Sequence, residues 1–130
     1  MHSTLKLLPV PVRLAIVGCG GMGHRHLRGL RELRDIGFSS VELIAVCDPV
    51  EENANSLADH AEETLGARPT VVTTHGDLLS HGIQAIDITS TPRTHHVIAV
   101  EALRSGINVL VEKPLGLTVA ACREVCNAVA

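Results

Sequence analysis

Aromatic side chains are almost missing from this chain: one phenylalanine, Phe38, and neither tryptophan nor tyrosine in 130 residues. A binding face built on ring stacking is therefore excluded, including most platforms for single-stranded nucleic acid. The core is left to Val, Ile, Leu and Ala, the residue set of a parallel sheet covered by helices on both faces. There is no run of ~18 apolar residues, so no membrane-spanning helix is expected. The opening stretch Met1–Leu8 lacks the long apolar centre and small-residue cleavage site of a secretory signal. This predicts a cytoplasmic setting with reduced thiols. The four cysteines, Cys19, Cys47, Cys122 and Cys126, contain no C-x-x-C pair. Cys122 and Cys126 can share a helix face, but two ligands do not complete a tetrahedral zinc site. All four are expected as packing residues, with no metal. Eleven basic side chains against 14 acidic ones leave a net charge of −3. That balance gives no basic excess to attract nucleic acid or anionic lipid. The G-x-x-x-x-G-K-[ST] phosphate loop is also missing, so a nucleoside-triphosphatase has no support.

What is present is punctuated and regular. The length fits one domain, and 45% apolar content is globular. Residues 1–12 read as an extended leader held open by Pro9 and Pro11, and residues 13–130 as the domain. Arg13–Val17 is an expected buried strand, followed by a helix carrying Leu27, Leu30 and Leu33 and ending near Gly37. Strand Val41–Cys47, helix Glu51–Leu65 with Gly66 as its stop, and a weaker strand Thr70–Thr73 come next. After a helical turn at Asp77–Leu79, Ala85–Thr89 and Asn108–Val111 are strands flanking a helix over residues 94–105. Thr118 is an expected N-cap for a last helix. Strands alternating with helices predict an α/β fold, a doubly wound parallel (Rossmann) sheet with five strands visible. That sheet type has six strands, and the last helix runs to Ala130 without a stop, so the chain is expected to be part of a longer protein.

Gly18-Cys19-Gly20-Gly21-Met22-Gly23 matches G-x-G-x-x-G between a strand and a helix. Gly18 permits the tight turn, Gly20 the approach of a pyrophosphate, and Gly23 close helix–strand packing. The helix N-terminus adds free N–H groups and partial positive charge. The alternatives are a tight turn without ligand and a methyltransferase-like cofactor site. Asp48, at the end of the second strand, has the position of a ribose-binding carboxylate. It favours NAD over NADP, because it would repel a 2′-phosphate. The alternative for Asp48 is a helix cap before Pro49.

Thr91-Pro92-Arg93-Thr94-His95-His96 follows strand four and Glu112-Lys113-Pro114 follows strand five, both at the ligand edge of such a sheet. With the glycine loop and the run Ala102–Leu115, the chain from Arg13 to Ala130 resembles the N-terminal domain of the glucose-fructose oxidoreductase, inositol dehydrogenase and rhizopine-catabolism (Gfo/Idh/MocA) family. Arg93 stands where that family usually has Asn. The resemblance implies a nicotinamide-dependent oxidoreductase acting on a sugar, cyclitol or related polyol. The alternative is a regulatory module that binds NAD(P) without turnover. The resemblance gives Lys113 the role of the catalytic lysine beside nicotinamide and substrate. It implies cofactor contacts from Gly18, Gly20, Gly21, Met22, Gly23, Asp48, Thr91, Pro92, His96 and Glu112. Glu112 could instead hold Lys113 in place. His95 is expected simply to occupy the first turn of its helix, and His24 and His26 a solvated face. Arg25, Arg28, Arg31 and Arg34 are read as a solvated basic stripe. The family's second, α+β domain, which carries the usual acid-base histidine and the oligomer interface, is expected beyond these 130 residues. The 130 residues alone are therefore expected to be inactive, and the full-length protein a homo-oligomer.

Overall fold

The structure, a computed structural model, describes residues 10–129. Five strands form one sheet: β1 (Val12–Val17), β2 (Val41–Cys47), β3 (Thr70–Val72), β4 (Ala85–Ile88) and β5 (Asn108–Val111). Their order is β3-β2-β1-β4-β5, and every pairing is parallel. The helices are α1 (Gly21–Asp35), α2 (Glu51–Leu65), the single turn α3 (His75–Leu78), α4 (His95–Arg104) and α5 (Val119–Val129). The direction of winding reverses between β1 and β4, which opens a crevice at the carboxyl ends of those strands.

The alternation of side chains along the strands decides which helix covers which face. Ile16 and Val46 point to one face, where they pack with Leu27 of α1 and Ala54, Leu57, Ala58 and Ala61 of α2. Ala15, Val17, Ala45, Ile86 and Ile88 point to the other, against Ile98, Ala99 and Ala102 of α4 and Val125 of α5. The three alanines of α2 are fully buried. Two apolar layers built from small and branched side chains thus take the place of aromatic residues.

The local signals act as expected at most ends. Gly66 closes α2 at φ +86° with its N–H on Glu62 O, and Thr118 Oγ1 accepts the Ala121 N–H at 3.0 Å. Several boundaries move: β3 ends at Val72, β4 ends at Ile88, and the short helical turn is His75–Leu78. Val12 belongs to β1, its N–H donating to Ser40 O at 2.8 Å, so the leader is shorter by one residue, and residues 1–9 of it lie outside the described part. Helix α1 stops at Asp35, ahead of Gly37 at φ +93°. Pro92–Thr94 form a 3-10 turn, and α4 starts only at His95. The four arginines of the α1 stripe are all exposed, and Arg31 and Arg34 both pair with Asp35.

Candidate cofactor site

The glycines after β1 are there for three separate steric reasons. Gly18 has φ +102°, and a Cβ on it would sit 2.3 Å from Ser90 N, where the loops after β1 and β4 cross. A Cβ on Gly23 would lie 2.5 Å from Gly18 O, so α1 can approach β1 only without one. Gly20 is different: a Cβ there would meet nothing within 4 Å. Its missing side chain leaves open space in front of the α1 N-terminus. Gly20 is also the N-cap, with no side-chain cap. The first-turn N–H groups, those of Gly21, Met22 and Gly23, therefore have no capping side chain to satisfy them. Thr89 fixes the loop from behind, its hydroxyl donating to Gly18 O at 2.6 Å.

Asp48 closes the other side. The residue is 9% exposed. Oδ2 accepts the Cys19 N–H at 2.9 Å and Oδ1 the Val50 N–H at 2.8 Å. The cap-like bond to Val50 and the contact with the glycine loop thus coexist in one side chain. A carboxylate has about four acceptor positions, so the two bonds leave room for a ligand's hydroxyls. Gly18, Gly20, Asp48, Asn53, Ser90 and Thr91 line a cleft of about 610 Å³. Among the described residues, no Lys or Arg lines it. These features suit a dinucleotide: amides for the pyrophosphate, space at Gly20, and a carboxylate for a ribose with no Lys or Arg in the lining to receive a 2′-phosphate. Cys19 and Cys47 lie under the floor. Burial pushes their thiols up to about 12 and about 11, so both are packing groups and not nucleophiles.

The second cluster follows β5. Glu112 N–H donates to Ile88 O at 3.0 Å, which holds the start of the Glu112-Lys113-Pro114 segment beside the end of β4. Lys113 is exposed, and the Lys113–Pro114 peptide is cis. His26 corrects the expectation of a solvated face. Its Nδ1 lies 2.6 Å from Asp87 Oδ2 and its Nε2 2.9 Å from Glu112 Oε2. His24 departs from that expectation too, stacking on His60 with ring centroids 5.0 Å apart. His95 is likewise more than a first-turn residue. It is 1% exposed, with Nδ1 2.8 Å from Pro114 O and Nε2 2.8 Å from Ser90 O. It ties the loop after β4 to the loop after β5.

The structure therefore brings Gly18, Gly20, Asp48 and Thr91 to one cleft, with Gly21, Met22 and Gly23 opening the helix beside it. Glu112 and Lys113 stand at the same sheet edge without lining that cleft. Pro92 opens the exposed 3-10 turn, and His96, half-buried on α4, does not line the cleft. One signal could have pointed to the missed residues. Asp87 is a lone charge inside the apolar strand Ala85-Ile86-Asp87-Ile88, and a charge placed there needs a partner.

Comparison with known proteins agrees with this geometry. The family model described as the oxidoreductase family with an NAD-binding Rossmann fold, GFO_IDH_MocA, matches residues 12–130. The chain is 30% identical over 118 residues to an inositol 2-dehydrogenase of Ralstonia nicotianae, covering 90% of this chain and 33% of that protein. It is 34% identical over 121 residues to a glycosyl hydrolase family 109 protein of Shewanella baltica, covering 89% of this chain and 25% of that one. Among solved structures, GenD2 from gentamicin A biosynthesis, in complex with NAD, superposes with a TM-score of 0.75 at 31% identity, over 94% of this chain and 32% of that one. The chain thus spans a third or less of the length of these relatives.

Proposed function

The chain belongs to the Gfo/Idh/MocA oxidoreductases, and on that premise we propose that it is the cofactor-holding part of a dehydrogenase acting on a sugar, cyclitol or related polyol. The NAD-binding Rossmann domain is the family's own. The observation that carries the assignment to NAD over NADP is Asp48. Its carboxylate stands at the rim of the cleft, bonded to backbone N–H groups alone, with acceptor positions left for ribose hydroxyls.

When bound, NAD supplies a nicotinamide carbon that takes up or returns a hydride. The chain's residues do the rest. The amides at the start of α1 receive the pyrophosphate across Gly20. Asp48 accepts the adenosine ribose hydroxyls. Thr91 and Pro92, after β4, border the path towards the nicotinamide end, with His96 behind them. Lys113 donates a hydrogen bond from its ammonium to the reacting oxygen of the substrate and stabilises negative charge as it develops there. Glu112 holds the Lys113 backbone. The acid-base group that completes the exchange comes from a further domain, in a cytoplasmic, homo-oligomeric full-length enzyme.

Support for a polyol substrate is the likeness to an inositol 2-dehydrogenase. The 34% identity to the glycosyl hydrolase supports a second reading, glycoside cleavage through an NAD-dependent step. One pair of assays separates them. The full-length protein is incubated with NAD and myo-inositol, and separately with a nitrophenyl glycoside. The first reading expects net NADH formation from the polyol. Release of nitrophenol without net NADH would replace it with the second, and neither product together with no NADH binding would remove both.

A further inference from the structure

Two titratable side chains, His26 and Asp87, are left unused by the cofactor reading, and they meet on the α1 face of the sheet. Asp87 is 4% exposed there, on β4. His26 reaches it from α1 through Nδ1 and reaches Glu112 through Nε2, at 2.6 and 2.9 Å. Glu112 Oε1 in turn accepts the Lys113 N–H at 3.3 Å. An unbroken line of hydrogen bonds thus runs from a buried carboxylate, through an imidazole, to the backbone of Lys113.

The chemistry of the line is asymmetric. A ring with a carboxylate on each nitrogen satisfies both only when both nitrogens carry protons. Burial works against that charge, but the hydrogen bonds and charges of Asp87 and Glu112 outweigh it, so the His26 pKa is raised. Desolvation pushes the Asp87 pKa up, against the pull of His26. The hydrogen bond from His26 holds the Glu112 pKa below its usual value. Other charged groups face the same place: Arg25 and Glu32 of α1 line the groove beside His26, and Lys113 acts on Glu112. Among the described residues Asp87 Oδ1 has no partner, so His26 alone anchors that carboxylate. If the ring gives up one proton, one nitrogen turns a lone pair towards a carboxylate. Asp87 is walled in, whereas the Glu112 side chain is 26% exposed and free to leave.

We propose that His26 is a positioning residue for Lys113: by bridging Asp87 and Glu112 it fixes the Glu112 carboxylate, which sets the Lys113 backbone at the ligand edge of the sheet. This rests on the reading of Lys113 as the cation that faces the substrate. A staple with no further role would join α1, β4 and the segment after β5 equally well. It would not make Lys113 respond to the protonation of a ring that reaches it only through the Glu112 side chain.

Nuclear magnetic resonance on the 15N-labelled chain tests the difference without any substrate. The pH is stepped while the His26 ring nitrogens and the Lys113 amide are followed. The ring is expected to titrate with a midpoint above the ordinary value of about 6.5 and to carry protons on both nitrogens below it. The Lys113 amide is expected to move with that same midpoint. His26→Gln should abolish the Lys113 titration. Glu112→Gln should also abolish it while His26 still titrates, at a lower midpoint. Because Glu112 is partly exposed, that variant carries the test even if His26→Gln does not fold. A Lys113 amide that ignores the His26 midpoint, or that titrates unchanged in Glu112→Gln, overturns the proposal. The Lys113 reading fails separately: intact coupling by resonance, together with full turnover in Lys113→Ala, would discard the catalytic lysine and leave the bridge standing.

Discussion

Asp48→Asn is the most informative single substitution, because it changes charge with almost no change in shape. In the wild type each carboxylate oxygen holds one backbone N–H, those of Cys19 and Val50. An amide has one acceptor oxygen, so the variant keeps one of these bonds and sets an NH2 group against the other donor. A buried N–H left unpaired costs about 1–3 kcal/mol, so a modest loss of stability is expected. The larger effect is on selectivity. Hydrogen bonds to a charged acceptor are worth ~1.5–3 kcal/mol each and to a neutral one about 1, so NADH should lose roughly 1–3 kcal/mol, about 5- to 150-fold in Kd. For NADPH the balance is opposite. A carboxylate and a phosphate of charge about −1.5 to −2 at ~6 Å repel by roughly 4–5 kcal/mol at an effective dielectric of ~20. Salt and water in an open cleft reduce this roughly threefold, to about 1–2 kcal/mol. Removing the charge returns that amount to NADPH. Together these are about 2–5 kcal/mol, so the ratio of the two Kd values should shrink by roughly 30- to 5,000-fold. Calorimetric titration of wild type and variant with both cofactors measures it, with circular dichroism as the check on folding. Equal affinities in the wild type, or an equal loss for both cofactors in the variant, would refute the ribose assignment.

Other substitutions probe other parts of the account. Gly20→Val should abolish NADH binding with secondary structure retained, because the branched side chain enters the space at the α1 N-terminus, where its Cβ meets no protein atom within 4 Å; cofactor fluorescence and circular dichroism decide it. Lys113→Ala in the full-length enzyme should lower kcat by ~10²–10³ with little change in NADH affinity, as expected for loss of one preorganised donor. Leu57→Ala should destabilise the fold by about 2–5 kcal/mol, since Leu57 is fully buried between α2 and the sheet and leaves a cavity; the urea midpoint reads it. The raised His26 pKa gives stability that is complete below about 6.5 and is lost as pH rises through the folded value. The wild type should thus lose stability relative to His26→Gln over that window, in urea melts at a series of pH values.

The sheet was legible because its strands are short apolar runs bounded by glycine, Asp-Pro and threonine, and each signal is local. Gly66 and Thr118 mark helix ends by their own backbone or side-chain preference, so no tertiary information is needed. The glycine loop and Asp48 were legible for a similar reason: a strand end and a helix start place them whatever the rest of the chain does. What could not be read was side-chain partnership across the fold. His26 is 61 residues from Asp87 and 86 from Glu112 in sequence. Nothing in the α1 segment alone distinguishes it from a solvated histidine. His95 and His96 are adjacent, and only the rotation of α4 decides which ring is buried. That rotation depends on the 3-10 turn at Pro92–Thr94, which delays the start of the helix and puts His95 under the loops.

The central claim is that one edge of this sheet holds NAD with its adenosine ribose on Asp48, its pyrophosphate across Gly20, and its nicotinamide towards Lys113. A crystal structure of the protein grown with NADH tests all three at once. The account predicts ribose hydroxyls within hydrogen-bond distance of both Asp48 oxygens, phosphate oxygens on the first amides of α1, and the nicotinamide ring near the Glu112–Lys113 segment. A dinucleotide bound elsewhere, or bound with its ribose away from Asp48 and its nicotinamide far from Lys113, would contradict it.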